Sequence, residues 1–230
     1  MSDDAARSAG QASGQAAGLA AGRLAGPLHG ALQVDAANLT AFLTTVHEHT
    51  GVTVTTTHLV GRAVAHGLAA VATSTDVHFV VGDGPDRTAG TTLEGVDARS
   101  VAEVARELAV SRAVAEGRRP PEPGAVVASV GMWGMTTAYA PRADDDAVPV
   151  RVLVGAVAQR PVAIEGRVVI RPVLTLTLTF DHRHVDGGWA VRFSHAVQEY
   201  CAHPDQFEEL PARVAGQPAE GGRSDVRVGG

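Results

Sequence analysis

The segment Val173–Phe180 restricts the possible folds of this chain more than any other part of the sequence. It reads VLTLTLTF, so leucine or phenylalanine alternates with threonine. A period of two is typical of a β-strand, because successive side chains of a strand point to opposite faces. The sequence therefore predicts a strand with one wholly apolar face, which other elements must cover.

Helices are predicted at several places around this strand. A stripe at spacing i, i+3, i+4, i+7 indicates a helix with Asn38 as its N-cap and Gly51 as its end. A second helix is predicted from about Thr55, and Ser100 with Glu103 forms the capping-box pattern of a third. The last predicted helix ends at about Ala202.

The other predicted strands are His29–Val34, Val77–Val81, Ala125–Val130 and Val148–Val157. Helices and strands alternate without a strict βαβ rhythm, and neither GxGxxG nor GxxxxGK[ST] occurs. This order favours a mixed α/β (α+β-like) fold over a doubly wound nucleotide-binding sheet.

Composition limits the class of protein. The 230 residues, 45% of them apolar, suffice for one core, which we place at 27–210 between flexible Ala/Gly-rich (1–26) and polar (211–230) tails. A net charge of -6 argues against nucleic acid as a partner, and the absence of long apolar runs argues against a membrane. The chain has a single cysteine, Cys201, so an internal disulfide is ruled out. No secretory signal is present, and we therefore expect a cytoplasmic protein.

All 19 basic residues are arginine, and none is lysine. The chain therefore has no lysine to form a Schiff base, to bind phosphate in a Walker loop or to carry lipoate or biotin.

The polar loop Asp181–Gly188, DHRHVDGG, follows the apolar strand directly. A histidine at such a place is able to act as a general base if its imidazole is neutral and faces a cleft. Two other interpretations remain open, a solvated turn and a metal site built from His182, His184 and Asp186. We expect no metal, because no further ligand cluster completes such a site.

Residues Thr175–Asp205 resemble the DHRxxDG region of the acyltransferase (E2) components of 2-oxoacid dehydrogenase complexes. The frame His-x-x-x-Asp-Gly is also shared with chloramphenicol acetyltransferase and with peptide-synthetase condensation domains. Further segments that resemble the E2 family are Pro27–Leu43, Leu93–Arg118, Val127–Gly134 and Val150–Pro172. The resemblance implies a chloramphenicol acetyltransferase-like two-layer fold, in which a mixed sheet packs against helices.

The resemblance also implies an acyl transfer between coenzyme A, as a substrate, and a thiol acceptor such as dihydrolipoamide. His182 would be the base and Asp186 would hold its loop, while a hydroxyl stabilises the oxyanion. Gly187 and Gly131 would lie against the substrate. Family members form trimers with the active site between subunits, so we expect a homotrimer, with a lipoyl domain or dehydrogenase component supplied in trans.

Two features depart from the family. Aligned on its glycines, the family's catalytic serine falls on Ala128, and Ser129 would replace it only if the turn were shifted by one residue. The C-terminal residues lack the large apolar side chain that joins trimers into larger cores, so we expect a free trimer. Two alternatives therefore remain, a weak or inactive E2-like trimeric scaffold and a small CoA-dependent acyltransferase of secondary metabolism.

Overall fold

The structure is a computed structural model that describes residues 27–82, 88–111, 122–140 and 148–210. The two predicted tails lie outside these ranges. The strands are β1 (Pro27–Asp35), β2 (Val77–Gly82), β3 (Thr88–Leu93), β4 (Ala125–Ser129), β5 (Val150–Val154), β6 (Ala158–Ile164) and β7 (Arg167–Asp181). The helices are α1 (Ala37–Thr50), α2 (Thr56–Ala70), α3 (Val101–Ser111) and α4 (Gly187–Ala202).

The seven strands form one mixed sheet in the order β1-β7-β5-β4-β2-β3, and β6 pairs with the first half of β7. Strand β4 is parallel to both of its neighbours, β2 and β5, whereas the other pairs are antiparallel. The mixed α/β architecture expected from the order of the elements is thus confirmed.

The alternation in β7 determines how the two layers meet. Leu174, Leu176, Leu178 and Phe180 are buried against residues of all four helices in a single core. We call the face of the sheet that carries these side chains the helix face. The opposite face, here the open face, carries Thr175, Thr177 and Thr179, and the carbonyl of Ala138 accepts a hydrogen bond from the Thr177 hydroxyl there.

Two local predictions are confirmed. Ser100 and Glu103 exchange hydrogen bonds at the start of α3, with 2.8 Å from Ser100 N to Glu103 Oε2 and 3.3 Å from Glu103 N to Ser100 Oγ. Thr55 caps α2 through its side chain, which accepts a hydrogen bond from His58 N.

The predicted N-cap at Asn38 is wrong. Helix α1 begins at Ala37 after Ala36, and Asp35 Oδ1 accepts from Ala37 N at 3.0 Å. Asn38 lies inside the helix because its side-chain amide donates instead to the carbonyl of Ala202, at 3.0 Å. A tertiary contact thus replaces the local cap.

Strand β6 and the first half of β7 form a hairpin around Glu165–Gly166, where both residues have positive φ. The hairpin carries large apolar side chains in solvent, with Val168 76% and Ile170 64% exposed. Only the second half of β7, from Val173, is buried along its length. The predicted strand Val173–Phe180 is therefore the inner part of a longer strand.

Candidate active site

The loop predicted to carry the chemistry is a tight turn at the end of β7. The carbonyl of Asp181 accepts hydrogen bonds from His184 N at 2.9 Å and from Val185 N at 3.0 Å. Val185 is buried in the core, which ties the turn to the helices. The turn is therefore held by its own backbone and by one apolar anchor.

The Asp181 carboxylate pairs with two cationic or titratable side chains of the same turn. It lies 3.0 Å from Arg183 Nη2 and 3.3 Å from His184 Nε2. These contacts give Asp181 and Arg183 a structural role in the turn, and His184 takes part in the same cluster.

The environment of His182 selects one tautomer of its ring. Nδ1 lies 3.3 Å from the carbonyl oxygen of Val185. A carbonyl only accepts hydrogen bonds, so Nδ1 carries a proton, and in the neutral ring Nε2 presents the lone pair. Nε2 is buried, and no hydrogen-bond partner for it occurs within the described residues. A neutral imidazole with a free Nε2 lone pair is the form that a general base requires.

Asp186 fixes the end of the histidine turn by capping a helix. It is the N-cap of α4, and its Oδ1 accepts from Trp189 N at 2.7 Å. The Trp189 ring stacks on Phe193 at 5.1 Å between centroids, and its Nε1 donates to Thr73 Oγ1 at 3.2 Å. Helix α4 is thus fixed at the residue that ends the histidine turn.

The two glycines predicted to face the substrate differ in their surroundings. A Cβ on Gly187 would meet nothing within 4 Å, so space is open there. A Cβ on Gly131 would lie 2.7 Å from the backbone of Gly155 and Ala156. Close packing of two backbone segments accounts for Gly131, and its contact with a substrate stays a prediction.

Strand β4 settles the relation between Ala128 and Ser129. Ala128 pairs with Leu153 and Ser129 with Val154, so the ladder runs to the end of the strand without a shift. Ser129 shares the helix face with buried Val127, whereas Ala128 points to the open face. The strand has no bulge between these two residues, and a catalytic role of Ser129 stays a prediction.

Within one chain, His182 and Ser129 lie at opposite ends of the strands that form the sheet. Ser129 pairs with Val154, which pairs with Leu176, whereas His182 follows Asp181 at the far end of β7. Leu176 and Asp181 are five positions apart, or roughly 17 Å along a strand. The two predicted catalytic residues therefore do not meet within one chain.

Ser129 instead lines a cavity of about 420 Å³ that lies between the start of α2, strand β2 and helix α3. Sequence reasoning did not find this cavity, because its walls come from four distant segments. Nor did it find the role of the Val185 carbonyl, since backbone contacts leave no sign in the residue type.

No group of three or more potential metal-ligating side chains occurs in the described ranges. No helix among the described residues is long and apolar enough to cross a membrane.

Comparisons with known proteins agree with the resemblance. Residues 93–208 match the family described as 2-oxoacid dehydrogenases acyltransferase (catalytic domain). A probable dihydrolipoyllysine-residue succinyltransferase component of the mitochondrial 2-oxoglutarate dehydrogenase complex of Schizosaccharomyces pombe is 53% identical over 49 residues. That alignment covers 21% of this chain and 11% of the yeast protein, so the chain matches about a tenth of its curated relative.

Two solved structures have the same fold. One is the dihydrolipoamide acetyltransferase of Azotobacter vinelandii, studied for the role of a serine, a histidine and an asparagine in its mechanism. It has a TM-score of 0.67 at 23% identity, over 79% of this chain and 83% of that one. The other is the cubic core of a pyruvate dehydrogenase multienzyme complex, with a TM-score of 0.63 at 23% identity, over 79% and 83% of the two chains.

Proposed function

Because the chain belongs to the family of 2-oxoacid dehydrogenase acyltransferase catalytic domains, we propose that it transfers an acyl group between coenzyme A and a thiol acceptor such as dihydrolipoamide. The observation that carries this proposal is His182, whose Nδ1 faces a carbonyl and whose buried Nε2 has no hydrogen-bond partner within the described residues. The 230 residues contain no lysine, so none of them carries a lipoyl group.

In the proposed reaction, His182 Nε2 takes the proton of the attacking thiol. The thiolate adds to the thioester carbonyl carbon and gives a tetrahedral oxyanion. When the intermediate collapses, the second thiolate leaves and takes the proton back from the imidazolium. The carbonyl of Val185 holds the ring throughout, because it accepts a hydrogen bond from Nδ1 both in the neutral imidazole and in the imidazolium.

No acyl-enzyme is needed, and Cys201 does not serve as a nucleophile. Cys201 is fully buried, and burial raises the pKa of its thiol to about 12. A thiol in that state is protonated at neutral pH and inert.

The proposed site combines two chains. The separation of His182 from the end of β4 within one chain supports an assembly in which these two ends meet across an interface. A homotrimer with three equivalent sites is the arrangement we propose, with a lipoyl domain or dehydrogenase component acting in trans.

Ala128 favours a second candidate, a weak or inactive trimeric scaffold. A methyl group at the position of the family's serine offers no hydrogen bond to an oxyanion, and loss of one such donor typically costs about 10²–10³ in rate. This candidate predicts an assembled protein with little or no transfer of acyl groups.

The test is the transfer of acetyl from acetyl-CoA to free dihydrolipoamide, with the released coenzyme A quantified by chromatography. His182→Ala should lower turnover by about 10²–10⁴, because it removes the general base. His195→Ala is the matched control, since His195 is exposed on α4. Equal turnover in wild type and His182→Ala would remove His182 from the mechanism, and no transfer by the wild type would favour the scaffold.

A further inference from the structure

The cavity beside Ser129 has a wall that is apolar except for hydroxyl groups. Its apolar members are Phe79, Val80, Ala105, Leu108, Ala109 and Met132. Its hydroxyl groups belong to Ser129 and to threonines at 53, 55 and 57. Small-molecule sites are typically concave, mostly apolar and of this volume.

His58 is the one titratable side chain among the lining residues that the structure describes. Thr55 N lies 3.1 Å from His58 Nδ1. A backbone N–H only donates, so Nδ1 accepts this hydrogen bond. No arginine, aspartate or glutamate belongs to the described lining of the cavity.

Small residues on α2 and α3 leave this space open. A Cβ on Gly61 would lie 2.2 Å from Phe79 Cε1, so the absence of a side chain there lets the Phe79 ring rest on α2. Ala105 and Ala109 stand one turn apart on α3 and expose only methyl groups to the cavity. Met132, 53% exposed in the turn after β4, adds a flexible and polarisable side chain at the rim.

We infer that this cavity binds an uncharged, apolar acyl chain of the thioester substrate, longer than acetyl. That the ligand is a thioester substrate rests on the proposed function. That its acyl group is apolar rests on the residues that line the cavity. The cavity lies where β4 ends, beside the turn Gly131–Trp133. The described wall contains no arginine to pair with the distal carboxylate of a succinyl group, and removing that carboxylate from water is costly.

The expected size of the effect follows from the buried methylenes. Each methylene transferred from water to an apolar wall is worth about a fourfold gain in affinity. A hexanoyl chain has four more methylenes than acetyl, so full burial should favour it roughly 10²-fold.

The first measurement is binding without chemistry. S-hexanoyl- and S-succinyl-N-acetylcysteamine are titrated into the full chain and followed by ligand-observed NMR. Hexanoyl should bind at least tenfold more tightly than succinyl. Equal binding of the two thioesters, or tighter binding of succinyl, would overturn the inference.

The second measurement uses variants of α3. Ala109→Leu narrows the exposed rim, so the chain should still fold, and Ala105→Leu fills the interior. Both should weaken hexanoyl binding at least tenfold. Val110→Leu is the control, because Val110 is 67% exposed on the same helix and lies outside the cavity. If Ala109→Leu binds hexanoyl as tightly as the wild type and melts at the same temperature, the cavity is not the site.

The third measurement separates this inference from the proposed function. Acyl-CoA substrates of the two classes are offered with dihydrolipoamide, and the ratio of kcat/KM for hexanoyl over succinyl is compared between wild type and Ala109→Leu. If hexanoyl binding depends on Ala109 but no acyl group is transferred, the cavity inference stands and the proposed function is refuted. If acyl groups are transferred and Ala109→Leu leaves the kcat/KM ratio unchanged, the proposed function stands and the cavity inference is refuted.

Discussion

Glu208 joins the C-terminal segment to three helices through one buried carboxylate. Its Oε1 lies 2.8 Å from Arg62 Nε and accepts a hydrogen bond from the Tyr200 hydroxyl, while its Oε2 accepts one from Val101 N at 2.9 Å. The side chains of Arg62 and Glu208 are only 9% and 2% exposed. Solvent therefore screens this pair very little, unlike an ion pair on the surface.

Glu208→Gln keeps the shape of the side chain but removes its charge, so it leaves Arg62 buried without a counter-ion. Removing one partner of a buried ion pair costs about 3–5 kcal/mol. The glutamine carbonyl still accepts one hydrogen bond, and the carbonyl of Val96 still accepts from Arg62 Nη1 at 2.8 Å. We therefore expect the lower end, about 3 kcal/mol of lost free energy of unfolding.

Urea unfolding followed by circular dichroism measures this loss. With a slope of about 1–3 kcal/mol per molar urea, the midpoint should fall by roughly 1–3 M. All proteins are compared at one chain concentration, because assembly contributes to apparent stability. Glu209→Gln is the matched control, since Glu209 is the exposed neighbour and its change should stay within about 0.5 kcal/mol. Equal midpoints for the two variants would refute the reasoning.

Three further predictions concern the site and the assembly. Asp186→Ala should remove the N-cap of α4, which should lower the free energy of unfolding by about 0.5–2 kcal/mol and reduce turnover. Asp186→Asn also provides a cap, so it should keep most of this stability when thermal unfolding is measured. Ala128→Ser should raise acetyl transfer by up to about 10²–10³ in the coenzyme A release assay, and an unchanged rate would show that no oxyanion forms on that side of β4. Light scattering should give three chains of 23.6 kDa each; a monomer would contradict the shared site, while a larger closed core would contradict only the prediction of a free trimer.

Much of the fold was predictable because the decisive signals are local. The alternation of Val173–Phe180 identifies the central strand and its buried face, and the inward residues Phe193, Val197 and Tyr200 of α4 follow from helical spacing. The extension of β7 back to Arg167 and the whole of β3 were less visible, because each depends on a partner strand.

The candidate site was predictable in its residues but not in its geometry. The motif locates His182 and Asp186, yet the carbonyl that fixes the histidine tautomer belongs to Val185, whose side chain is buried for another reason. Asn38 shows the same limit, since a distant carbonyl at Ala202 outcompetes a local cap. Contacts between distant backbone groups and side chains are absent from any local pattern.

The hairpin of β6 and β7 makes the tendency of the chain to aggregate depend on its concentration. Strand β6 contains Arg160 and Pro161, and a proline lacks a backbone donor, so the hairpin resists growth by addition of a further strand. Its exposed Val168 and Ile170 have no such protection. Contacts between these side chains on different chains should therefore favour association, and aggregation should increase with chain concentration.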